Sequence, residues 1–258
     1  MCIKECAPCV TSSECVFQLD NNDNADGNLS EENNDSSDES KASLVTQKLA
    51  KEKILLVIDT SADPSMSNPS TLAVILQCFR QLSILKNRQI PDNQFAVCTI
   101  NNYSYTNVSD FTTDTEALSR KLHSVNSLCQ QPGNYCPYYK FDGLLDFVTR
   151  KYADNMTQKD EDYIFRVILT YNRDYCLPHI NEISPITKSI LRSPRFYFDF
   201  IHISAFEINN RTQLVFDQLA VLCNPWSYKL KAERNPLSII STVCEFLMHP
   251  MARDTTII

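Results

Sequence analysis

The chain has 258 residues, a formal net charge of −7 at neutral pH and only three glycines, at Gly27, Gly133 and Gly143. No two of these glycines have the spacing of a dinucleotide-binding motif or a P-loop, in which glycine lets the backbone approach phosphate groups. The composition therefore excludes a Rossmann cofactor site and a P-loop nucleotide hydrolase.

The excess of acidic residues lies in the first fifth of the chain. Residues 1–50 hold ten acidic and three basic residues, whereas the rest of the chain holds 21 of each. Residues 21–40 are almost entirely Asn, Asp, Glu and Ser, which cannot bury enough apolar surface to offset the entropy of ordering. We therefore predict a disordered acidic tail at 1–50, one domain at 51–250 and a short tail at 251–258. The neutral domain argues against nucleic acid as a direct partner, because phosphate binding needs a surplus of Lys and Arg.

The eleven cysteines have to be interpreted together with the predicted location of the protein. The N-terminus lacks the apolar segment of a signal peptide, and no apolar run is long enough to span a membrane. We expect an intracellular protein whose thiols stay reduced. Four N-terminal cysteines could hold zinc, but structural zinc sites usually pair two short Cys hairpins across a longer spacer. These four cysteines are Cys2, Cys6, Cys9 and Cys15. We predict no cofactor for the chain.

The first predicted strand is Ile54–Ile58, a continuous apolar run typical of a central parallel strand that is buried on both faces. Apolar residues at helical spacing from Leu72 to Leu85 predict a helix with Ser70 as its N-cap. The next two strands, at 95–100 and 103–108, are predicted to form a hairpin whose polar second strand lies at the edge of the sheet.

A Thr113-x-x-Glu116 pattern predicts a capping box at the start of the second helix. Residues 126–139 are predicted to form a loop, and so is the segment that contains Pro178. Later apolar runs predict strands at 164–170, 196–203 and 226–231, and helices at 141–152, at 184–192, from Asn210 and from Pro236.

Strands and helices alternate along the predicted domain. This alternation, with long buried strands, indicates an α/β fold: a doubly wound, mostly parallel sheet with one antiparallel edge strand and helices on both faces. Ligands of such sheets bind at the carboxyl ends of the central strands. The loops after Ile58 and Leu169 are therefore the candidate site.

The first of these loops, residues 59–63, resembles D-x-S-x-S, which opens the metal-ion-dependent adhesion site of von Willebrand factor A domains. Such a site needs hard oxygen ligands from three loops to hold Mg²⁺. Asp59 and Ser61 match the pattern, but Asp63 replaces the second serine.

The second and third loops depart from the pattern. Where a threonine is expected, the chain has Pro137–Phe141 with Lys140, and the third loop has Asn172 in place of an aspartate. We therefore predict a degenerate site without a metal ion, in which loop amides satisfy Asp59 and Ser61. The alternative, a metal-dependent ligand-binding module, would require three intact loops.

Patterns of hydrolytic enzymes are also absent from the sequence. It contains no G-x-S-x-G elbow and no H-x-x-x-H pair. His202 lies in an apolar strand and is predicted to be packed rather than catalytic, and Cys176 and His179 show no sign of an activated dyad. We predict that the chain is not an enzyme.

Three stretches, at 165–173, 194–202 and 246–253, together with the acidic N-terminus, resemble the Merit-forty (NBA-one) family. Its members are von Willebrand A-like scaffold subunits of the BRISC complex and of its BRCA-associated counterpart, which functions in DNA repair. The resemblance extends over residues 52–253.

The resemblance implies a non-catalytic scaffold in the cytoplasm and nucleus. It implies binding to the BRE subunit, which contains UEV domains, and through it to a JAMM-type deubiquitinase and an Abraxas-like partner. That enzyme cleaves ubiquitin chains linked through lysine sixty-three.

Pro250 and Arg253 form a P-x-x-R motif just after the last predicted helix. UEV domains can bind extended peptides that contain proline. We hypothesise that Pro250 packs in an aromatic groove of the partner while Arg253 pairs with a carboxylate. The alternative is a proline that only ends the helix.

Overall fold

A computed structural model of the chain describes residues 49–61, 70–101, 104–127, 138–157, 162–174, 176–180, 183–204 and 210–253. All of them belong to one structural unit, Gln47–Ile258. The predictions for the acidic tail, for its four cysteines and for Asp63 lie outside the described residues.

The described elements alternate along the chain. In order they are β1 (Lys51–Asp59), α1 (Ser70–Gln89), β2 (Gln94–Ile100), β3 (Tyr105–Thr112), α2 (Thr115–Ser127), β4 (Tyr138–Lys140), α3 (Asp142–Asn155), β5 (Tyr163–Tyr171), β6 (Leu177–His179), α4 (Pro185–Leu191), β7 (Phe196–Ser204), α5 (Asn210–Ala220), β8 (Lys229–Glu233) and α6 (Pro236–Cys244). Two 3₁₀ turns follow α6, at Glu245–Leu247 and Pro250–Ala252.

Six strands form the main sheet in the order β3-β2-β1-β5-β7-β8. Every neighbouring pair is parallel except β2 and β3, which pair antiparallel at one edge. The predicted α/β class, with a mostly parallel sheet and one antiparallel edge strand, is confirmed. β1, β5 and β7 occupy the middle, so their carboxyl ends lie side by side.

Alternate residues of β1 enter two separate apolar layers. Leu55 and Val57 pack on the face covered by α3 and α5. Ile54, Leu56 and Ile58 pack on the opposite face, under α1, α2 and α6. Burial on both faces explains why this strand is a continuous apolar run rather than an alternating one.

Three local predictions need correction. The cap of α2 is Asp114 instead of Thr113, because its Oδ1 accepts hydrogen bonds from the backbone N–H groups of Glu116 and Ala117, both at 2.9 Å. The last strand begins at Lys229 instead of Trp226, since residues 224–227 form a turn closed by a bond from Ser227 N to Asn224 O.

The third correction concerns a small second sheet. β4 and β6, each of three residues, pair in parallel and place Pro178 opposite Tyr139. Both segments were predicted to be loops, because strands this short carry no apolar pattern and proline is usually depleted from strands.

Two helix starts agree with the sequence. Ser184 caps α4 and Asn235 caps α6, and in each case proline is at the start of the helix, where its missing N–H costs nothing.

Among the described residues, no helix has the length and apolarity needed to cross a membrane.

Candidate functional site

An ion pair lies at the carboxyl edge of the sheet, between the ends of β1 and β5. Arg173, two residues after β5, donates from Nε to Asp59 Oδ2 and from Nη2 to Asp59 Oδ1, both at 2.8 Å. The two side chains meet because β1 and β5 are parallel neighbours in the sheet. This two-point geometry is the strongest form of carboxylate–guanidinium pairing.

Aromatic rings and a backbone carbonyl complete the surroundings of Arg173. Its Nη2 also donates to Asn101 O at 2.8 Å. The guanidinium carbon lies 4.8 Å from the ring centre of Tyr139 and 5.4 Å from that of Tyr171. These rings favour a cation over a neutral group, so they reinforce the ion pair.

The pair is sealed from solvent. Asp59 is 2% exposed and Arg173 is 5% exposed. Burial by itself would lower the pKa of Arg173, but the charge of Asp59 outweighs it and raises that pKa above its ordinary value. Arg173 is therefore a permanent cation at this position.

The carboxylate of Asp59 has further donors besides Arg173. Oδ1 accepts from the backbone N–H and the hydroxyl of Ser61, at 3.1 and 2.7 Å, and Oδ2 accepts from Asn172 N at 3.0 Å. The loop amides expected to satisfy Asp59 are thus present. Arg173 is the additional partner, and no local sequence pattern predicts it.

These residues do not fit a divalent cation. Asp59 directs both oxygens at donors of this chain, and the guanidinium lies where a positive ion would approach the carboxylate. In the sequence, the second loop has Lys140 and no hydroxyl beyond those of its tyrosines, and the third has Asn172 in place of an aspartate. Of the predicted residues, Asp59 and Ser61 are brought together, and Asp63 lies outside the described residues.

A second layer of polar groups supports the loop after β5. Arg234 donates from Nε to Asn172 Oδ1 at 3.0 Å and pairs with Asp174 at 3.1 Å. His202 Nε2 lies 3.4 Å from Arg173 O. Burial lowers the pKa of His202 to about 4, so this imidazole is neutral at physiological pH. His202 is 1% exposed, so it is packed as predicted.

The P-x-x-R motif lies elsewhere, against the α1–α6 face of the sheet. Arg253 donates from Nη1 to Asp199 Oδ1 at 2.9 Å and from Nη2 to Asp199 Oδ2 at 2.7 Å. Its Nη1 also donates to Trp226 O, and its guanidinium carbon lies 3.7 Å from the ring centre of Tyr228. Pro250 is buried as well.

Asp199 belongs to a buried network of charges. Arg166 donates to Asp199 Oδ2 at 2.7 Å and to Glu52 Oε2 at 3.0 Å, and Lys86 pairs with Glu52 Oε1. Burial alone would raise the pKa of Glu52, but the charges of Arg166 and Lys86 outweigh it and lower that pKa. Burial lowers the pKa of Lys86 to about 8.

The network fixes the end of the described chain. Arg166 also donates to Phe246 O at 2.9 Å, and His249 Nε2 lies 2.8 Å from Ala50 O. Pro250 and Arg253 therefore contact their own domain, and their binding to a partner stays a prediction. Charged residues inside apolar strands, here Arg166 and Asp199, were the signal in the sequence that a buried partner was needed.

Comparisons with known proteins identify the fold. The chain is similar to the von Willebrand factor domain of the type V pili tip protein Mfa5 from Porphyromonas gingivalis, with a TM-score of 0.54 and 9% identity over 77% of this chain and 94% of that one. It is also similar to proximal thread matrix protein 1 from the mussel byssus, with a TM-score of 0.52 and 13% identity over 79% of this chain.

The chain spans 46% of that mussel protein's length. Another structure of the mussel protein, whose MIDAS motif is occupied by zinc, has a TM-score of 0.51 at 15% identity. No protein-family model and no curated protein matches the chain. The structural similarities show a von Willebrand A-like fold.

Proposed function

We propose that this chain is a non-catalytic scaffold subunit of a multi-subunit deubiquitinase that acts on lysine-sixty-three-linked ubiquitin chains. In this proposal it binds the BRE-type UEV subunit and, through it, a JAMM-type enzyme and an Abraxas-like partner, in the cytoplasm and the nucleus. The three stretches that resemble the Merit-forty family support the proposal, and the von Willebrand A-like fold is compatible with it.

The observation that carries the proposal is the Asp59–Arg173 pair. A von Willebrand A-like domain that satisfies this carboxylate with its own guanidinium offers protein surface to a partner rather than an open coordination site. Cys176 is the cysteine closest in sequence to a histidine. Burial raises the pKa of its thiol, and the raised pKa makes the thiol a weaker nucleophile.

Co-expression with a BRE-type subunit tests the proposal. We expect the full-length chain to co-elute with that subunit in affinity purification followed by size-exclusion chromatography, with and without EDTA. Failure of the unmodified, folded chain to co-elute would overturn the scaffold role.

Two variants separate the roles of the C-terminal segment. Met251, between Pro250 and Arg253, is 43% exposed. If the segment contacts the partner directly, Met251→Asp weakens capture without loss of stability. If Arg253 acts only through the fold, Arg253→Ala reduces capture and stability together, and Met251→Asp leaves both unchanged.

The alternative function is a metal-dependent ligand-binding module. Asp59 and Ser61 are retained from the metal-site pattern, but a cation would have to displace Arg173 from two hydrogen bonds to Asp59. Melting curves recorded in EDTA and in Mg²⁺ distinguish the two functions.

A further inference from the structure

An apolar groove runs between α1 and α6, on the face opposite α3 and α5. It encloses about 470 Å³ and is lined from α1 by Ala73, Gln77, Gln81 and Leu85 and from α6 by Ile240 and Cys244, among others. We call it the α1–α6 groove. The described residues that line it include no charged side chain.

Apolar residues are exposed along one side of α6. Leu237, Ile240 and Cys244 follow each other at helical spacing on the outer side, and Leu237 is 79% and Ile240 45% exposed. Ile239 and Val243 face the core. A helix that is apolar on its outer side as well as on its buried side is typical of an interface.

Past the end of α6, Met248 and Met251 are also exposed, at 47% and 43%. Along α1, the groove extends from Ala73 to Leu85, which corresponds to about 18 Å at the helical rise per residue. An open surface of this length fits three turns of a helix better than a small molecule, which is normally enclosed on most sides.

The charge at the end of the groove indicates the orientation of the occupant. Arg88 follows Gln81 by seven residues, so the two share one face of α1, and α1 contains no acidic residue. An acidic first turn of a docked helix would pair with Arg88 and would also suit the dipole of that helix. Such a helix would run antiparallel to α1.

A second copy of this chain would bring no carboxylate from α1 or α6 to Arg88, because neither helix contains an acidic residue. The exposed Glu245 directly follows α6 and is the one carboxylate next to the described lining of the groove. A dimer that Ile240→Glu dissociates is therefore the result that would assign the groove to a second copy.

We propose that the α1–α6 groove docks one amphipathic helix of a partner protein, with apolar residues at every third or fourth position and an acidic first turn beside Arg88. The inference rests on the proposed scaffold function, to which it adds a contact surface. Helix-in-groove recognition of this kind depends on a few apolar anchors spaced along one helix face.

The probe is a pair of synthetic, lactam-constrained helical peptides of about 16 residues, matched to the length of the groove. Both carry leucines at every third or fourth position; one begins with two glutamates and the other with two lysines. Fluorescence anisotropy measures their binding to the full-length chain.

We expect roughly micromolar binding of the acidic peptide and about fivefold weaker binding of the basic one. Arg88→Glu reverses this preference. Ile240→Glu weakens binding about tenfold or more, because it places a charge against the apolar anchors. Leu214→Glu is the matched control, because Leu214 is 52% exposed but lies on α5, away from the groove. We expect this variant to bind the acidic peptide as the unmodified chain does. Bound peptide slows modification of Cys244 by Ellman's reagent, with Cys244→Ser as the reference.

Three results would overturn the inference: no binding of either peptide at about 1 mM, equal binding by Ile240→Glu and the unmodified chain, or a dimer in sedimentation equilibrium that Ile240→Glu dissociates. Circular dichroism confirms that each variant is folded. The peptides contain no part of the proposed complex. If they fail while the complex forms, the groove is wrong and the scaffold stands; if they bind while the complex does not form, the scaffold is wrong.

Discussion

The guanidinium of Arg253 holds both carboxylate oxygens of Asp199, at 2.9 and 2.7 Å, and so ties the last described residue of the chain to the middle of β7. Residues 251–253, predicted to begin a tail, are therefore held by the domain. Because Arg166 binds the same carboxylate, the order of this segment depends on charges inside the sheet.

Removing Arg253 should destabilise the fold. Arg253→Ala leaves Asp199 buried with one cation fewer, and loss of one partner of a buried pair costs about 3–5 kcal/mol. Urea unfolding measures the change in the free energy of unfolding. Arg120→Ala is the control: its pair with Glu116 is exposed and should contribute less than about 0.5 kcal/mol. Equal losses for the two variants would contradict this prediction.

Arg173 and Asp59 should be energetically coupled. Arg173→Met leaves the carboxylate of Asp59 buried without its cation, and we expect a loss of about 3–5 kcal/mol in the free energy of unfolding. Asp59→Asn in the same chain removes the stranded charge and should restore part of the loss. A double-mutant cycle measures this coupling, and additive effects of the two substitutions would show that the pair contributes no stability.

Divalent cations should not affect the stability of the unmodified chain. A ligand that binds only the native state raises the melting temperature, but the oxygens of Asp59 already accept from Arg173, Ser61 and Asn172. We expect identical melting curves in EDTA and in about 10 mM Mg²⁺. A clear upward shift with Mg²⁺ would favour the metal-dependent module over the scaffold.

Acid should weaken the fold through His202. Its pKa is about 4 in the folded chain, against an ordinary value of 6.5, because burial disfavours the imidazolium. The unfolded chain therefore binds more protons than the folded chain between these values. The contribution of neutral His202 is complete above pH 6.5 and is lost as the pH falls towards 4.

Between about pH 7.5 and pH 5.5, this linkage corresponds to about 1 kcal/mol of lost stability. Burial also lowers the pKa of His249, which adds to the loss in both proteins. His202→Gln should reduce the loss by about 1 kcal/mol, as measured by urea unfolding at the two pH values. An unchanged pH dependence would mean that His202 does not titrate as its burial requires.

The sheet was predictable because its strands carry strong local signals. Ile54–Ile58 and the runs around Val167 and Phe198 are continuous apolar segments, and their separation by helical patterns fixes a parallel sheet. The strand after Ile100 is polar, and this polarity predicts a position at the edge of the sheet. β4 and β6 could not be predicted, since their pairing depends on tertiary contacts rather than on three-residue patterns.

The candidate site was predictable only in part. Asp59 and Ser61 lie two positions apart in sequence, and their place at the end of a central strand marks the functional edge of the fold. Arg173 lies 114 residues away from Asp59, and only the parallel pairing of β1 and β5 brings it to that carboxylate. The same limit applies to Arg253 and Asp199, which are 54 residues apart. A charged residue within a buried strand indicates that a partner of opposite charge is needed. Which residue is that partner depends on the topology of the fold.

The guanidinium at Asp59 also bears on regulation. A site that recruits its cation from solution is filled according to the free concentration of that ion, so it can be emptied and refilled by mass action. Arg173 is covalently part of the chain and is charged at every physiological pH. The loops at this edge therefore have a built-in counterion from the moment the chain folds, and their shape is constitutive rather than switchable by the ionic composition of the cell.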